Sequence, residues 1–192
     1  MSPHRGAADG APLFAWGEAI RAARKRRRMR RYCALIGLGG LALATPSAWP
    51  PVPRLVWNGS ASAPVGLYRV APGAVTKVGD MVVARAPQAW RKLAADRHYL
   101  PRNVPVVKRV AAAAGNAVCA RGDRIAVDGR AIAHRRRTDG AGRPMPWWSG
   151  CIRLSGGQRF LLMEAPGSFD GRYFGVTEGG DILGRAVLLW QR

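Results

Sequence analysis

At 192 residues the chain has room for one ordinary domain beside an N-terminal extension, and two domains of usual size are excluded. Its 31 Lys and Arg against 11 Asp and Glu give a formal net charge of +20, which points to an anionic membrane surface or nucleic acid as neighbour and says nothing of fold. The histidines, His4, His98 and His134, are scattered and the cysteines have no close spacing, so no metal centre and no cofactor is expected.

The charge is uneven along the chain. Residues 1–31 hold nine Lys or Arg against Asp9 and Glu18, eight of the nine between Arg21 and Arg31, and the rest holds 22 against 9. Residues 32–53 carry no charge, and 32–44 are nearly all apolar. That pattern predicts a basic cytoplasmic tail (1–31), a single transmembrane anchor (32–49), a Pro-rich linker (50–57) and a folded domain (58–192). Arginines on the N-terminal flank place the tail inside and the domain outside by the positive-inside bias, which in a bacterium means the inner membrane with the domain in the periplasm. Pro46, Pro50, Pro51 and Pro53 are expected to end the helix, with Trp49 and Trp57 at the interface. Ala42-Leu43-Ala44 has the small-x-small form of a signal cleavage site, so removal of the segment stands as an alternative to an uncleaved anchor. A buried core helix fits poorly with the arginine block.

Cys33 falls in the apolar segment, which leaves Cys119 and Cys151 as a natural disulfide pair in an oxidising compartment; two reduced buried thiols are the other reading.

Beyond the linker, short strands and turns dominate. Gly79-Asp80 leads into Met81-Val82-Val83-Ala84, residues 119–132 alternate around Asp128-Gly129, and residues 159–163 and 182–190 read as further strands. Asp128-Gly129 is a hairpin signal. Helical periodicity shows only near Gln88–Asp96, and residues 134–149, with Arg135-Arg136-Arg137, Pro144 and Pro146, read as a long exposed loop. The domain is expected to be mainly β.

One strand, Val106-Val107-Lys108-Arg109-Val110, places a lysine among apolar neighbours. A buried ammonium is costly unless paired or deprotonated, and a drop of about three pKa units costs roughly 4 kcal/mol, within reach of desolvation. Lys108 is therefore a candidate base, and Arg109 should point the other way. Upstream, Pro64 and Gly66 shape a turn that presents Ser62, a hydroxyl that becomes a nucleophile only when a base takes its proton. Ser60 lies two residues earlier, on the same side of an extended stretch, where its hydroxyl and the Ser62 amide could hold an oxyanion. Taken singly, a surface lysine on an edge strand and a flexible Gly-Ser stretch after the apolar segment are the preferred explanations of these residues.

The third element is Gly167-Ser168-Phe169-Asp170-Gly171-Arg172-Tyr173-Phe174-Gly175, followed by Gly184-Arg185-Ala186. With it, the order of serine turn, Gly-Asp strand, Lys-Arg strand and Ser-x-Asp-x-Arg-Tyr box resembles the type I signal peptidases (S26), over essentially residues 58–190. Within them, Ser62-Ala63-Pro64-Val65-Gly66-Leu67-Tyr68, Gly142-Arg143-Pro144-Met145-Pro146 and the pair Cys119 and Cys151 look most like the conjugative-transfer TraF-type peptidases. The resemblance implies a signal-peptidase-like β-barrel or coiled β-sheet and a serine endopeptidase cutting after small-x-small sites. It implies Ser62 as nucleophile, Lys108 as general base, Ser60 and the Ser62 amide as oxyanion donors, Ser168 orienting the lysine, and Asp170 with Arg172 as a supporting ion pair. The implied partners are a preprotein or prepilin in the membrane and inner-membrane lipid, not nucleic acid; the acyl acceptor is water or the pilin's own amine. Ala63 for methionine and the earlier proline depart from housekeeping members, and Asn116 stands where the family has aspartate. A general signal peptidase, a membrane-tethered basic binding module and a cytosolic Ser/Lys self-cleaving regulator are the competing readings.

Overall fold

The structure, a computed structural model, describes residues 11–48 and 52–192 and consists of two units, Met1–Pro51 and Val52–Arg192. Expectations for the tip of the tail, His4, Trp49, Pro50 and Pro51 lie outside the described residues.

In the first unit, α1 (Ala11–Ala48) is one helix of 38 residues. Its boundaries differ from expectation at both ends. The basic block joins the apolar segment in a single helix, because Arg and Lys are good helix formers. The helix also runs two residues past Pro46, since a proline in the last turn removes only a terminal hydrogen bond; Thr45 Oγ1 donates to the Leu41 carbonyl at 2.8 Å. No helix among the described residues is long and apolar enough to cross a membrane, so the structure does not show the transmembrane anchor expected at 32–49, whose last residue lies outside the described residues. The reason is length: residues 32–44 span roughly 20 Å at 1.5 Å per residue, against a hydrocarbon core of about 30 Å.

The second unit is mainly β, and its two sheets are antiparallel throughout. The first has six strands in the order β1 (Leu55–Asn58), β2 (Gly66–Ala71), β10 (Ile182–Gln191), β3 (Met81–Ala84), β4 (Val106–Ala112), β9 (Phe160–Leu162). The second has four, β7 (Arg130–His134), β6 (Arg124–Val127), β5 (Ala117–Arg121), β8 (Gly150–Arg153). Both ladders are open at their edges, so the expected barrel takes the form of two sheets rather than one closed ring. The end of the expected linker is sheet: Leu55 to Asn58 pair with Arg69 to Gly66 because Val56 packs on the core while Leu55 and Trp57 face out. Two short helices complete the unit, α2 (Gln88–Asp96) after β3 and α3 (Gly171–Phe174) after β9.

The strands follow the period of two. Tyr68 and Val70 of β2, Val83 of β3, Val107 of β4 and Leu183 and Ala186 of β10 form one core cluster. Val118, Ile125, Leu154 and Phe160 form another beneath the small sheet, with Trp148 against them. Each such side chain contributes about 1.5–3 kcal/mol by leaving water. The Asp128-Gly129 turn closes the β6–β7 hairpin, Asp128 taking φ 49°, and Asn116 Nδ2 donates to its carboxylate at 2.7 Å. Cys119 and Cys151 lie opposite each other on β5 and β8 and are joined by a disulfide.

Candidate functional site

The serine turn is the hairpin loop between β1 and β2, and Asn58 holds it. Asn58 is buried, and its amide donates to the carbonyls of Ser60 (2.9 Å), Ala63 (3.1 Å) and Pro64 (3.0 Å) while its oxygen accepts from the Ser60 N–H at 3.2 Å. Tyr68 donates its hydroxyl to the Pro64 carbonyl from the far side at 2.8 Å. The loop is thus fixed by side chain to backbone bonds where no ladder exists. Gly66 permits the close crossing that follows, since a Cβ there would lie 2.1 Å from the Trp190 carbonyl oxygen. Asn58 was missed as a site residue; an asparagine just before Gly-Ser is the signal that marks such a turn.

Within the loop, Ser60 Oγ and Ser62 Oγ are 3.0 Å apart, and the Ser62 N–H donates to Ser60 Oγ at 3.3 Å. The two expected oxyanion donors therefore engage each other.

Lys108 reaches this loop from the middle of β4. Its register partner is Val82, wholly buried on β3, and Lys108 itself is 3% exposed. Lys108 Nζ donates to Ser62 Oγ at 2.9 Å and to Ser168 Oγ at 2.7 Å. Among the described residues no carboxylate pairs with it. Burial pushes the ammonium down from 10.5 to about 8, with the Asp170 carboxylate opposing that drop and the Arg172 guanidinium adding to it. Arg109, next in sequence, is exposed and pairs with Glu164 at 3.0 Å, as strand alternation requires.

Ser168 is held by the segment that enters α3. Asp170 caps that helix, accepting from the Arg172 N–H at 3.2 Å. Its carboxylate also accepts from Arg172 Nε at 2.9 Å and from the Met163 N–H at 3.1 Å, and both residues of the pair are buried. Arg172 spends its remaining N–H groups on the carbonyls of Met163, His134 and Pro166. A buried ion pair with this many partners is satisfied, and it ties β9, the end of β7 and the Ser168 turn together. Gly171 lets α3 sit against β9, since a Cβ would fall 2.7 Å from the Leu161 carbonyl oxygen.

Ser60, Ser62, Lys108 and Ser168 line one cleft of about 480 Å³. The lining includes Tyr99, Leu100 and Val104 from the segment between α2 and β4, Val106 at the start of β4, and Arg136, Thr138, Asp139 and Met145 from the loop after β7. Residues 134–149 are thus not the wholly exposed loop expected. Arg135 is buried, its guanidinium 3.6 Å from the Trp147 ring centre and donating to the Gly122 carbonyl, and Trp148 Nε1 donates to the Gly171 carbonyl at 3.1 Å. Asp139 accepts from the Tyr99 hydroxyl and from Arg143 Nε at 2.7 Å, and these bonds hold its carboxyl well below the usual range. The loop is thereby pinned to the segment between α2 and β4. Cys119 and Cys151 lie away from this cleft, and no cluster suited to a metal occurs among the described residues.

A neutral lysine bonded to two hydroxyls, beside a cleft with amide and hydroxyl donors, can deprotonate one hydroxyl and support its attack on a carbonyl. Comparison with known proteins bears on that chemistry. The family described as "Signal peptidase, peptidase S26" matches residues 28–191. A probable conjugal transfer protein TraF of Sinorhizobium fredii is 34% identical over 175 residues, covering 83% of this chain and 90% of its own. A plasmid transfer protein TraF of Escherichia coli is 32% identical over 177 residues, covering 85% and 98%. A signal peptidase I of Enterococcus faecalis V583, 19% identical, covers 58% of this chain and 97% of its own, with a TM-score of 0.35. From the family match and these identities, the chain belongs to the signal peptidase family, peptidase S26, and is TraF-like within it.

Proposed function

We propose that the protein is a membrane-associated serine endopeptidase that removes leader peptides after small-x-small sites, with Ser62 as nucleophile and Lys108 as general base, and that its substrate is a pilin precursor of a conjugation system. The observation that carries this reading is Lys108 Nζ, buried and without a carboxylate, lying 2.9 Å from Ser62 Oγ. The TraF relatives, named for conjugal and plasmid transfer, support the substrate class.

The chemistry follows acyl transfer. A neutral Lys108 keeps one N–H on Ser168 and turns its lone pair toward the Ser62 hydroxyl. Ser62 Oγ attacks the scissile carbonyl as its proton passes to Nζ, and the tetrahedral oxyanion takes the Ser62 N–H and the Ser60 hydroxyl, which exchange their mutual bond for the substrate. The C–N bond then breaks with the proton of Lys108 going to the leaving amine, leaving an acyl-Ser62 ester. Water attacks the ester to give a linear product; where the acyl group on Ser62 is the pilin's own C-terminal end, cut from a short C-terminal extension, the pilin's free N-terminal amine attacks instead and gives a cyclic one, Ser62 regaining its proton either way.

Membrane association belongs to this proposal through α1, whose basic half suits anionic lipid and whose apolar half suits the acyl boundary. The tail on the cytoplasmic side and the Val52–Arg192 unit in the periplasm agree with the arginine block and with the Cys119–Cys151 disulfide, which forms in an oxidising compartment. The apolar stretch is shorter than a full span, so a reporter fused at the C-terminus tests the topology directly. A general signal peptidase is the second reading, favoured by the family match alone.

The test uses membranes carrying wild type, Ser62→Ala or Lys108→Ala, with prepilin and presecretory substrates and products weighed by mass spectrometry. Loss of cleavage in both variants supports the dyad, preference for prepilin supports the substrate class, and a product lighter by one water than the linear fragment adds cyclisation. Cleavage that survives either change sinks the assignment.

A further inference from the structure

We infer that Arg136 is a specificity-determining residue that reads a carboxylate on the substrate, an inference that rests on the peptidase reading of this cleft. Three consecutive arginines divide their work. Arg135 and Arg137 both lie over the Trp147 ring, at 3.6 Å and 5.7 Å from its centre, and Arg135 also spends two N–H groups on the Gly122 carbonyl. Arg136 sits between them, lines the cleft, and its guanidinium has no hydrogen-bond or ion-pair partner among the described residues. Its backbone is fixed all the same. The Arg136 N–H donates to the Tyr173 hydroxyl at 3.1 Å, and the Tyr173 ring stacks on Phe169, the residue after Ser168, at 6.1 Å and 11° between planes.

Charge on the cleft walls points the same way. Of the charged residues that line it, Lys108 is engaged by Ser62 and Ser168, and Asp139 is neutralised by Arg143 and held by Tyr99. Arg136, itself exposed, is left as the charged group with donors to spare, in a lining that mixes apolar residues such as Leu100, Val104 and Val106 with uncharged polar ones such as Thr138. A guanidinium presents a planar fork that a carboxylate accepts with two parallel bonds. The substrate class is therefore a peptide with a carboxylate close to its small-x-small site. An acidic side chain and a free C-terminus offer the same chemistry.

The experiment uses the full chain in detergent micelles and two pairs of matched peptides around one small-x-small site. One pair differs by Glu against Gln near the scissile bond, the other by a free C-terminal carboxylate against a C-terminal amide. Wild type should favour the carboxylate member of one pair by about three- to tenfold in kcat/KM, the size expected of one partly exposed charge-assisted hydrogen bond. The pair that responds identifies the source. Arg136→Gln should bring that ratio to about one and Arg136→Lys should keep part of it. Arg137→Gln, which deletes the same charge outside the cleft, should retain it. Equal rates in both pairs for wild type, or a preference that survives Arg136→Gln, overturn the inference while leaving the peptidase standing. If wild type cleaves no peptide, the peptidase reading falls; peptide affinities of the Ser62→Ala chain then decide for Arg136, and equal Kd for acid and amide members overturns it.

Discussion

Two cations are buried within a few residues' reach of Ser168, and they are treated in opposite ways. Arg172 is 2% exposed and meets the Asp170 carboxylate, with carbonyls taking its other donors. Lys108 is 3% exposed and meets two serine hydroxyls and no carboxylate. The paired cation stiffens the structure; the one without a carboxylate partner is pushed down to about 8 by burial and can give its proton up. What separates scaffold from base in this site is the kind of cation, guanidinium against amine, together with the placement of one carboxylate, Asp170, on the guanidinium.

The sharpest way to break the comparison is to remove its reactive half. Lys108→Ala and Ser62→Ala should each lower kcat by at least about 10³-fold, and the double variant should be little worse than either, since the two act as a unit; single-turnover cleavage measures this. Removing the other half should act on stability. Asp170→Ala leaves Arg172 buried without its counter-charge and should cost about 3–5 kcal/mol in urea unfolding. A loss of activity with unchanged stability would mean that the carboxylate serves the chemistry rather than the frame.

Proton linkage sharpens the contrast. Because the folded pKa of Lys108 lies below 10.5, the unfolded chain binds more protons between about pH 8 and 10.5, and stability rises with pH across that window. Below about pH 8 both states are protonated and the penalty for burying the ammonium is present in full, on the order of 3 kcal/mol. Wild type should therefore gain on Lys108→Met by up to about that amount as pH is raised from 7 to 10.5, in parallel denaturant titrations. Over the same range kcat/KM should rise with an apparent pKa near 8. A flat profile would mean that the lysine is not the titrating base. Smallest of the set, Ser168→Ala removes one of the lysine's two anchors and should lower kcat by about 10- to 100-fold with little change in KM.

How much of this was legible in the chain depended on the range of the interactions. β3, β4 and β10 could be read as short apolar runs, β6 from alternation, and the Asp128-Gly129 hairpin from local turn chemistry, because each is set by neighbours in sequence. Ser62, Lys108 and Ser168 could be named but not joined by spacing: 46 residues separate the first two and 60 the last two, and only sheet register brings them together. β8 escaped notice since all four of its residues are exposed and no alternation marks it; its place is given by pairing with β5. The loop at 134–149 looked solvated because its arginines are charged, yet Arg135 finds Trp147 and the Gly122 carbonyl, partners that composition does not reveal. In the membrane segment the uncharged and the apolar stretches part company: residues 32–53 lack charge, only 32–44 are nearly all apolar, and no helix among the described residues is apolar enough over a full span to cross.

The disulfide encloses more than it joins. Cys119 and Cys151 are 32 residues apart in sequence, and the wall of the cleft at 134–149 lies wholly inside the ring they close. A protease that cuts the backbone anywhere between them produces a nick and no release: the two pieces remain one molecule, migrating intact without reductant and falling apart with it. Gel analysis of a nicked sample with and without reductant therefore maps damage to this wall apart from cuts elsewhere in the chain.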